Sequence, residues 1–451
     1  MQHHLRRRSA LIAVLLLVLA ACGGTTGSLV EAEPAAKPLG PAFPDGPVSD
    51  ELFSDLRRIS VASGEFLDTD AVARVAASGD PRAGWVLADV LRFVQVGPPG
   101  VALVEALNEL LDLELDPFAP LAWVEVTDRL IAWDVPAPDG FADLKEQLYT
   151  QVSETWTPFL VDPDLGADLR LISWGGVLPD LRPLGDDSSC NGCIPSLDHP
   201  IVTDAAGGDW LQDQRIVFGL VVNGEARAYP RFMMETHELV NDTLGGREIA
   251  LPYCTLCGAA QAFFVGEGDE RRVLRTSGLL QRSNKIMVDL TTGTYYETFA
   301  GLGISGPGRG EVLEQIPVIT SMWGAWKEAH PDTTILAEDG GIGFDYPEDP
   351  LQGRNLDGPI FPVGSVDARV PPEVLVLGVR IGDRSVAFPV RDTRAALEAG
   401  EDVRVEGVEI RLEGSGLVAY DGDAPVPSHE AFWVAWSQFN SDTAVWFPDE
   451  G

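Results

Sequence analysis

The side chains that could do chemistry gather in one stretch: His237-Glu238 with Asn241 and Asp242, then, past Gly245-Gly246, Cys254-Thr-Leu-Cys257. Two thiols at C-x-x-C spacing can grip one metal ion because the turn between them brings both sulfurs to one side, and a histidine from a neighbouring element can add a third ligand. His237, Cys254 and Cys257 thus make a candidate Cys2His set, suited to zinc with an open position, or to copper if Met233, Met234 or Met287 supplies a soft axial donor. Glu238 stands beside it as a further ligand or proton acceptor. Asp289 is a second candidate acid-base group, and Ser283 and Asn284 are candidate polar substrate contacts.

Other readings of the same residues stay open. A C-x-x-C outside the cytoplasm can be a plain disulfide, and a histidine near a helix can be a cap or packing residue. Thiol-disulfide exchange by Cys254 and Cys257 is a third option, although a thioredoxin-like site needs a helix starting at the first cysteine; Ala259-Ala-Gln-Ala-Phe-Phe-Val reads instead as a strand. Cys190-Asn-Gly-Cys193 lies in a loop and reads best as a local disulfide or a link to the other pair. No G-x-S-x-G, H-E-x-x-H or phosphate-binding glycine loop occurs, which removes the main support for a serine hydrolase, a zincin or an NTPase. His330 and His429 flank two tryptophan-bearing helices and read as structural, with Ser428-His-Glu at a helix start.

The amino terminus supplies an address. Arg6, Arg7 and Arg8 precede an apolar run, Ala10 to Ala21, that ends at Leu19-Ala20-Ala21-Cys22. Twelve residues are too few for a membrane-spanning helix, which needs about 20. Small residues directly before a cysteine fit a lipobox, so residues 1–21 are expected to be a signal peptide and Cys22 a lipid anchor on the extracytoplasmic side of the membrane. Acidic residues outnumber basic ones 69 to 32, a formal charge of −37, which excludes broad nucleic-acid contact.

The elements that must position these groups fall into an α+β chain. Residues 22–49 are rich in Gly, Pro and Ala and read as a flexible tether with little structure. Residues 50–165 carry helical spacing, as in Gly84-Trp-Val-Leu-Ala-Asp-Val-Leu-Arg-Phe-Val, and resemble a short helical-repeat array that could dock a protein partner, or a plain bundle packed on the next domain. A mainly β region follows, with Asn223-Gly224 as its strongest hairpin signal. It carries an internal duplication: the hairpin around Gly219 recurs 159 residues later around Gly378, and the segment with Trp323 and Trp326 recurs 110 residues later with Trp433 and Trp436. The 49-residue difference is surplus in the first copy and contains the C-x-x-C. The expected units are therefore 166–336, bearing the Cys/His site, and 337–451, a degenerate counterpart.

Several of these motifs occur in a fixed order: Gly192-Cys-Ile-Pro195-Ser-Leu-Asp198-His-Pro200, Ala228-Tyr-Pro230, His237-Glu-Leu-Val-Asn241-Asp242, Gly245-Gly246, Tyr253-Cys254-Thr-Leu-Cys257-Gly258 and Ser277-Gly-Leu-Leu-Gln-Arg-Ser283. In this the chain resembles the domain-of-unknown-function 3179 family of bacterial exported proteins, over about residues 190 to 450, with Thr255 where a proline is usual. The resemblance implies an exported domain built around His237, Cys254 and Cys257, and no reaction. Three functions remain in view: a lipoprotein with a catalytic or metal-carrying Cys2His site, a binding or scaffold protein braced by disulfides, and a thiol-disulfide redox protein. The sequence leaves open whether the protein is an enzyme.

Overall fold

The computed structural model describes residues 27–33, 37–61, 67–94, 97–353 and 358–449; the expected signal peptide and Cys22 lie outside them. The fold is α+β. Seven helices between Asp50 and Leu160 form where the apolar spacing predicts them. Asp68 accepts a hydrogen bond from the Ala71 amide and Asp80 from the Arg82 amide, while Pro98 opens the helix Pro98–Leu111. Their buried residues Leu56, Leu87, Leu107 and Trp156 continue into one core with Leu279, Ile286 and Tyr295 of the β region. The Trp156 indole donates to the Ser277 carbonyl over 2.8 Å. The helices are thus a layer packed on a sheet, since an amphipathic stripe must be covered by another element to stay out of water.

Two five-stranded sheets share one plan. In the first, Ile319–Met322, Ile216–Val222, Glu225–Pro230, Thr334–Leu336 and Val202–Asp204 lie side by side. In the second, Ser428–Phe432, Leu375–Ile381, Arg384–Pro389, Ala444–Phe447 and Ser28–Val30 repeat the order. Pairings run antiparallel, antiparallel, parallel and antiparallel in both. Register agrees as well: Gly219 faces Ile319 and Ala228, and Gly378 faces His429 and Ala387. Each glycine lies under an indole, Gly219 under Trp326 and Gly378 under Trp436, where a Cβ would overlap the ring. Each indole then donates to a threonine, Trp326 to Thr333 over 2.9 Å and Trp436 to Thr443 over 3.0 Å.

Three boundaries differ from the sequence expectation. The tether is not structureless throughout, because Ser28–Val30 fills the fifth place of the second sheet and satisfies the free edge of Ala444–Phe447. Residues after 336 do not open the second unit at once; Tyr346 returns to the first unit and packs on its core. His429 is a strand residue instead of a helix start, buried between Gln261 and Gln315, where burial holds its imidazole down to about 3. The surplus of the first unit folds as the hairpin Leu239–Leu244/Arg247–Cys254 and a sheet that includes Leu274–Gln281 and Asn284–Asp289. Among the described residues no helix is long and apolar enough to cross a membrane.

Candidate functional site

The helix Arg231–His237 ends on Glu238, whose φ of +53° starts the return into Leu239–Leu244. Gly245 and Gly246, both at positive φ, make the tight turn that the sequence predicts. The hairpin register sets Leu239 opposite Pro252, and the Tyr253 amide donates to the Glu238 carbonyl over 2.9 Å. The backbone of His237-Glu238 therefore does arrive beside Tyr253-Cys254.

The side chains then part. Glu238 turns toward the thiols: its Oε2 lies 2.7 Å from Lys285 Nζ and its Oε1 accepts from the Thr255 hydroxyl over 3.0 Å. Lys285 spends its remaining donors on the carbonyls of Glu238, at 2.8 Å, and Tyr253, at 3.0 Å. Beside this pair Cys254 and Cys257 are buried, with their sulfurs 2.7 Å apart. Both sulfurs face the Ser283 carbonyl, at 3.5 and 3.4 Å, and Cys257 lies 3.7 Å from Asn284 Oδ1. Ser283 Oγ and Asn284 Nδ2 are buried without a partner among the described residues. Ser283 and Asn284 thus do stand beside the thiols. Burial pushes the Cys257 thiol well up, and the hydrogen bond with Cys254 adds to this. Burial acts the same way on Cys254 but is outweighed by the Cys257 hydrogen bond and the Lys285 charge, so Cys254 ends below its ordinary value.

His237 turns the other way. Its Nδ1 lies 2.7 Å from the Pro195 carbonyl and its Nε2 2.6 Å from the Tyr346 hydroxyl. Burial, together with the nearby Arg182 charge, lowers its pKa below the usual imidazole value. The expected Cys2His set is therefore not assembled, and this is a correction: both ring nitrogens are committed elsewhere. Met233, Met234 and Met287, the soft donors considered for copper, are fully buried in apolar clusters. Asp289 is a turn cap that accepts from the amides of Val273, Thr291 and Thr292, so it has no free oxygen for acid-base work.

Cys190 and Cys193 are joined as a disulfide, the first of the two alternatives that the sequence left open. With Asp180 they form the one group of three among the described residues whose ligand atoms lie within 4.8 Å of one another. This Cys2Asp group could hold a metal ion once the disulfide is open. In the closed form the Asp180 oxygens are occupied by Arg182, at 2.9 and 2.8 Å, and by the Ser196 amide.

Sequence reasoning missed the buried cations. Arg275 pairs with Asp198 through two bonds of 2.8 and 2.6 Å, and Asn241 joins the same carboxylate at 2.9 Å. With Lys285 on Glu238, these pairs account for two of the four charged positions in the motifs, and a third, Asp242, pairs with Arg227 over 2.6 Å. A lysine or arginine in a strand gives no sequence signal that its charged head is buried, because its stem suits a pleated surface either way.

Sequence reasoning also missed an open cleft of about 810 Å3, two of whose lining rings, Phe344 and Tyr346, pack on His237. Trp210, Phe232, Phe344 and Tyr346 line it, with ring centroids 6.2 Å apart for Trp210 and Phe232, 6.0 Å for Phe232 and Tyr346, and 4.7 Å for Phe344 and Tyr346. Arg215 lies over the Phe232 ring, 5.2 Å from its centroid, and donates to the Glu348 carbonyl. Glu338, Asp339, Asp345 and Glu348 stand on the rim.

No curated protein and no solved structure matches this chain. Residues 191–421, just over half of its length, match the family described as "Protein of unknown function (DUF3179)", a span that starts at the expected Gly192 motif and stops short of the second tryptophan helix. The motif order read from the sequence and this match agree, and the chain belongs to the DUF3179 family.

Proposed function

We propose that this chain is an extracytoplasmic binding protein, anchored to the membrane by a lipid on Cys22, whose ligand site is the cleft lined by Trp210, Phe232, Phe344 and Tyr346 and whose cysteines brace the fold. The cleft carries this reading. Its 810 Å3 suits a small ligand, and rigid aromatic rings beside a few polar groups are the usual make-up of a ligand pocket. The Cys22 anchor is supported by Leu19-Ala20-Ala21-Cys22 after three arginines. The matched strand order and register of the two sheets support the reading of the second as a degenerate copy. A protein partner would meet the helical layer at Phe118 and Leu121, which stand exposed ahead of the helix Ala122–Trp133. The test is native mass spectrometry of protein released gently from its own membranes. A small-molecule adduct present on the wild type and lost from Phe344→Ala supports the cleft; no adduct, with no small molecule raising the melting temperature, sinks it.

A second reading, thiol-disulfide exchange, is favoured by the opposed pKa shifts of Cys254 and Cys257 beside Lys285. An exchanging pair needs one thiol activated and one held back. The burial of both sulfurs counts against it, because a partner thiol must reach one of them. A zinc or copper ion on these thiols would need its third donor from Ser283 or Asn284 in place of His237; elemental analysis of the purified protein tests that.

A further inference from the structure

The hydrogen-bonding polarity of the cleft can be read from the groups that hold Tyr346, one of its lining residues. The Pro195 carbonyl only accepts, so His237 Nδ1 carries the ring hydrogen and Nε2 the lone pair. Tyr346 must then give its single proton to Nε2, 2.6 Å away, and keeps no donor for a ligand. The rim carboxylates of Glu338, Asp339, Asp345 and Glu348 are acceptors alone when ionised. Arg215, the cation of the cleft, is engaged with the Glu348 carbonyl and the Phe232 ring. Apart from the Gln212 amide and the buried Trp210 indole N–H, what remains is rich in acceptors and ring faces and bears net negative charge.

A ring face attracts a cation through its quadrupole, and Arg215 over Phe232 is a case the chain supplies for itself. A neutral sugar would also stack on the rings and give hydroxyl hydrogens to the carboxylates, but it would leave their negative charge uncompensated. An anion would be repelled by them and by the formal charge of −37, which raises the local concentration of cations. Resting on the reading of the cleft as a ligand site, we infer that it takes a small organic cation, one or more ammonium or guanidinium groups on a short chain, lodged between the Phe344 and Tyr346 rings and the acidic rim.

Calorimetric titration with spermidine at about 0.15 M salt, where diffuse surface attraction is screened, tests this on the full chain released from its membranes in mild detergent. Trehalose and glutarate are the neutral and anionic probes. Spermidine should bind at one site per chain. Phe344→Ala should weaken it about threefold by removing a ring face. The Glu338→Gln/Asp345→Asn double variant should weaken it about fivefold, as two partly screened charge pairs would. Both changes lie on an exposed loop, and circular dichroism checks that the fold is kept. Spermidine bound equally by wild type and both variants would mean general attraction to an acidic surface and overturn the proposal. Tighter binding of trehalose or glutarate would overturn the ligand class and leave the cleft reading intact. Binding of none of the three probes would overturn the ligand class too; whether the cleft binds anything is then decided by the adduct on wild type and Phe344→Ala.

Discussion

Lys285 and Glu238 form an ion pair of 2.7 Å with both side chains buried, and it ties the hairpin Leu239–Cys254 to the strand Asn284–Asp289 directly beside Cys254. The ammonium is hydrogen-bonded by one carboxylate and two carbonyls, which is what lets a charge stay in the interior.

Breaking that pair on one side should cost more than removing it whole. Glu238→Gln leaves Lys285 charged and buried without its carboxylate and should destabilise the fold by about 3 kcal/mol, with Glu238→Gln/Lys285→Met recovering much of the loss. Urea denaturation measures both. A double variant weaker than either single one would show that the pair does not act as a unit.

The two sheets should respond alike to the same insult. Gly219→Ala and Gly378→Ala each drive a methyl into the indole above, so each should lose about 2 to 3 kcal/mol. Truncating the matching tryptophan to phenylalanine should return part of it. Denaturation midpoints of the four variants decide the matter, and a harmless Gly378→Ala would mean that the second sheet is packed differently.

Glu430 predicts a pH dependence. It is buried with Oε1 unpartnered, and burial, only partly offset by the Arg394 charge, raises its carboxyl from 4.5 to about 7. The folded state therefore holds a proton that the unfolded chain releases. Stability from this group is full below about 4.5 and falls as pH rises toward 7. Glu430→Gln should flatten that part of the profile, whereas Asp128, raised to about 6 by burial, continues to contribute below it. Thermal melts of both proteins from pH 4 to 8 provide the comparison; parallel curves would rule out the assignment.

Cysteine accounting checks the anchor and the pairings together. Mature protein denatured without reductant should expose two thiols, those of Cys254 and Cys257, because Cys190 and Cys193 are paired and the proposed lipid anchor would block the Cys22 sulfur. Zero thiols would mean that the buried pair is oxidised. Cys22→Ser should leave the count at two and abolish incorporation of labelled fatty acid, whereas a third thiol on the wild type would mean that Cys22 is not acylated.

What the sequence determined by itself is what local spacing encodes. The helices follow from apolar recurrence at three and four, and the hairpins from Asn223-Gly224 and Gly245-Gly246. The matched sheets follow from two echoes whose offsets of 159 and 110 residues reappear as strand register. The hairpin at Gly245-Gly246 even brought His237-Glu238 beside Cys254 as expected. Which way each side chain points was decided elsewhere. Glu238 is pulled toward Lys285, and His237 toward Pro195 and Tyr346, which lie 42 and 109 residues away along the chain. The cleft is likewise built from Trp210, Phe232 and the Glu338–Glu348 loop, segments with no common motif. Buried ion pairs, the fifth strand at Ser28–Val30 and the cleft all depend on contacts between distant segments, and those are set by how the layers pack, a quantity that no local pattern of residues carries.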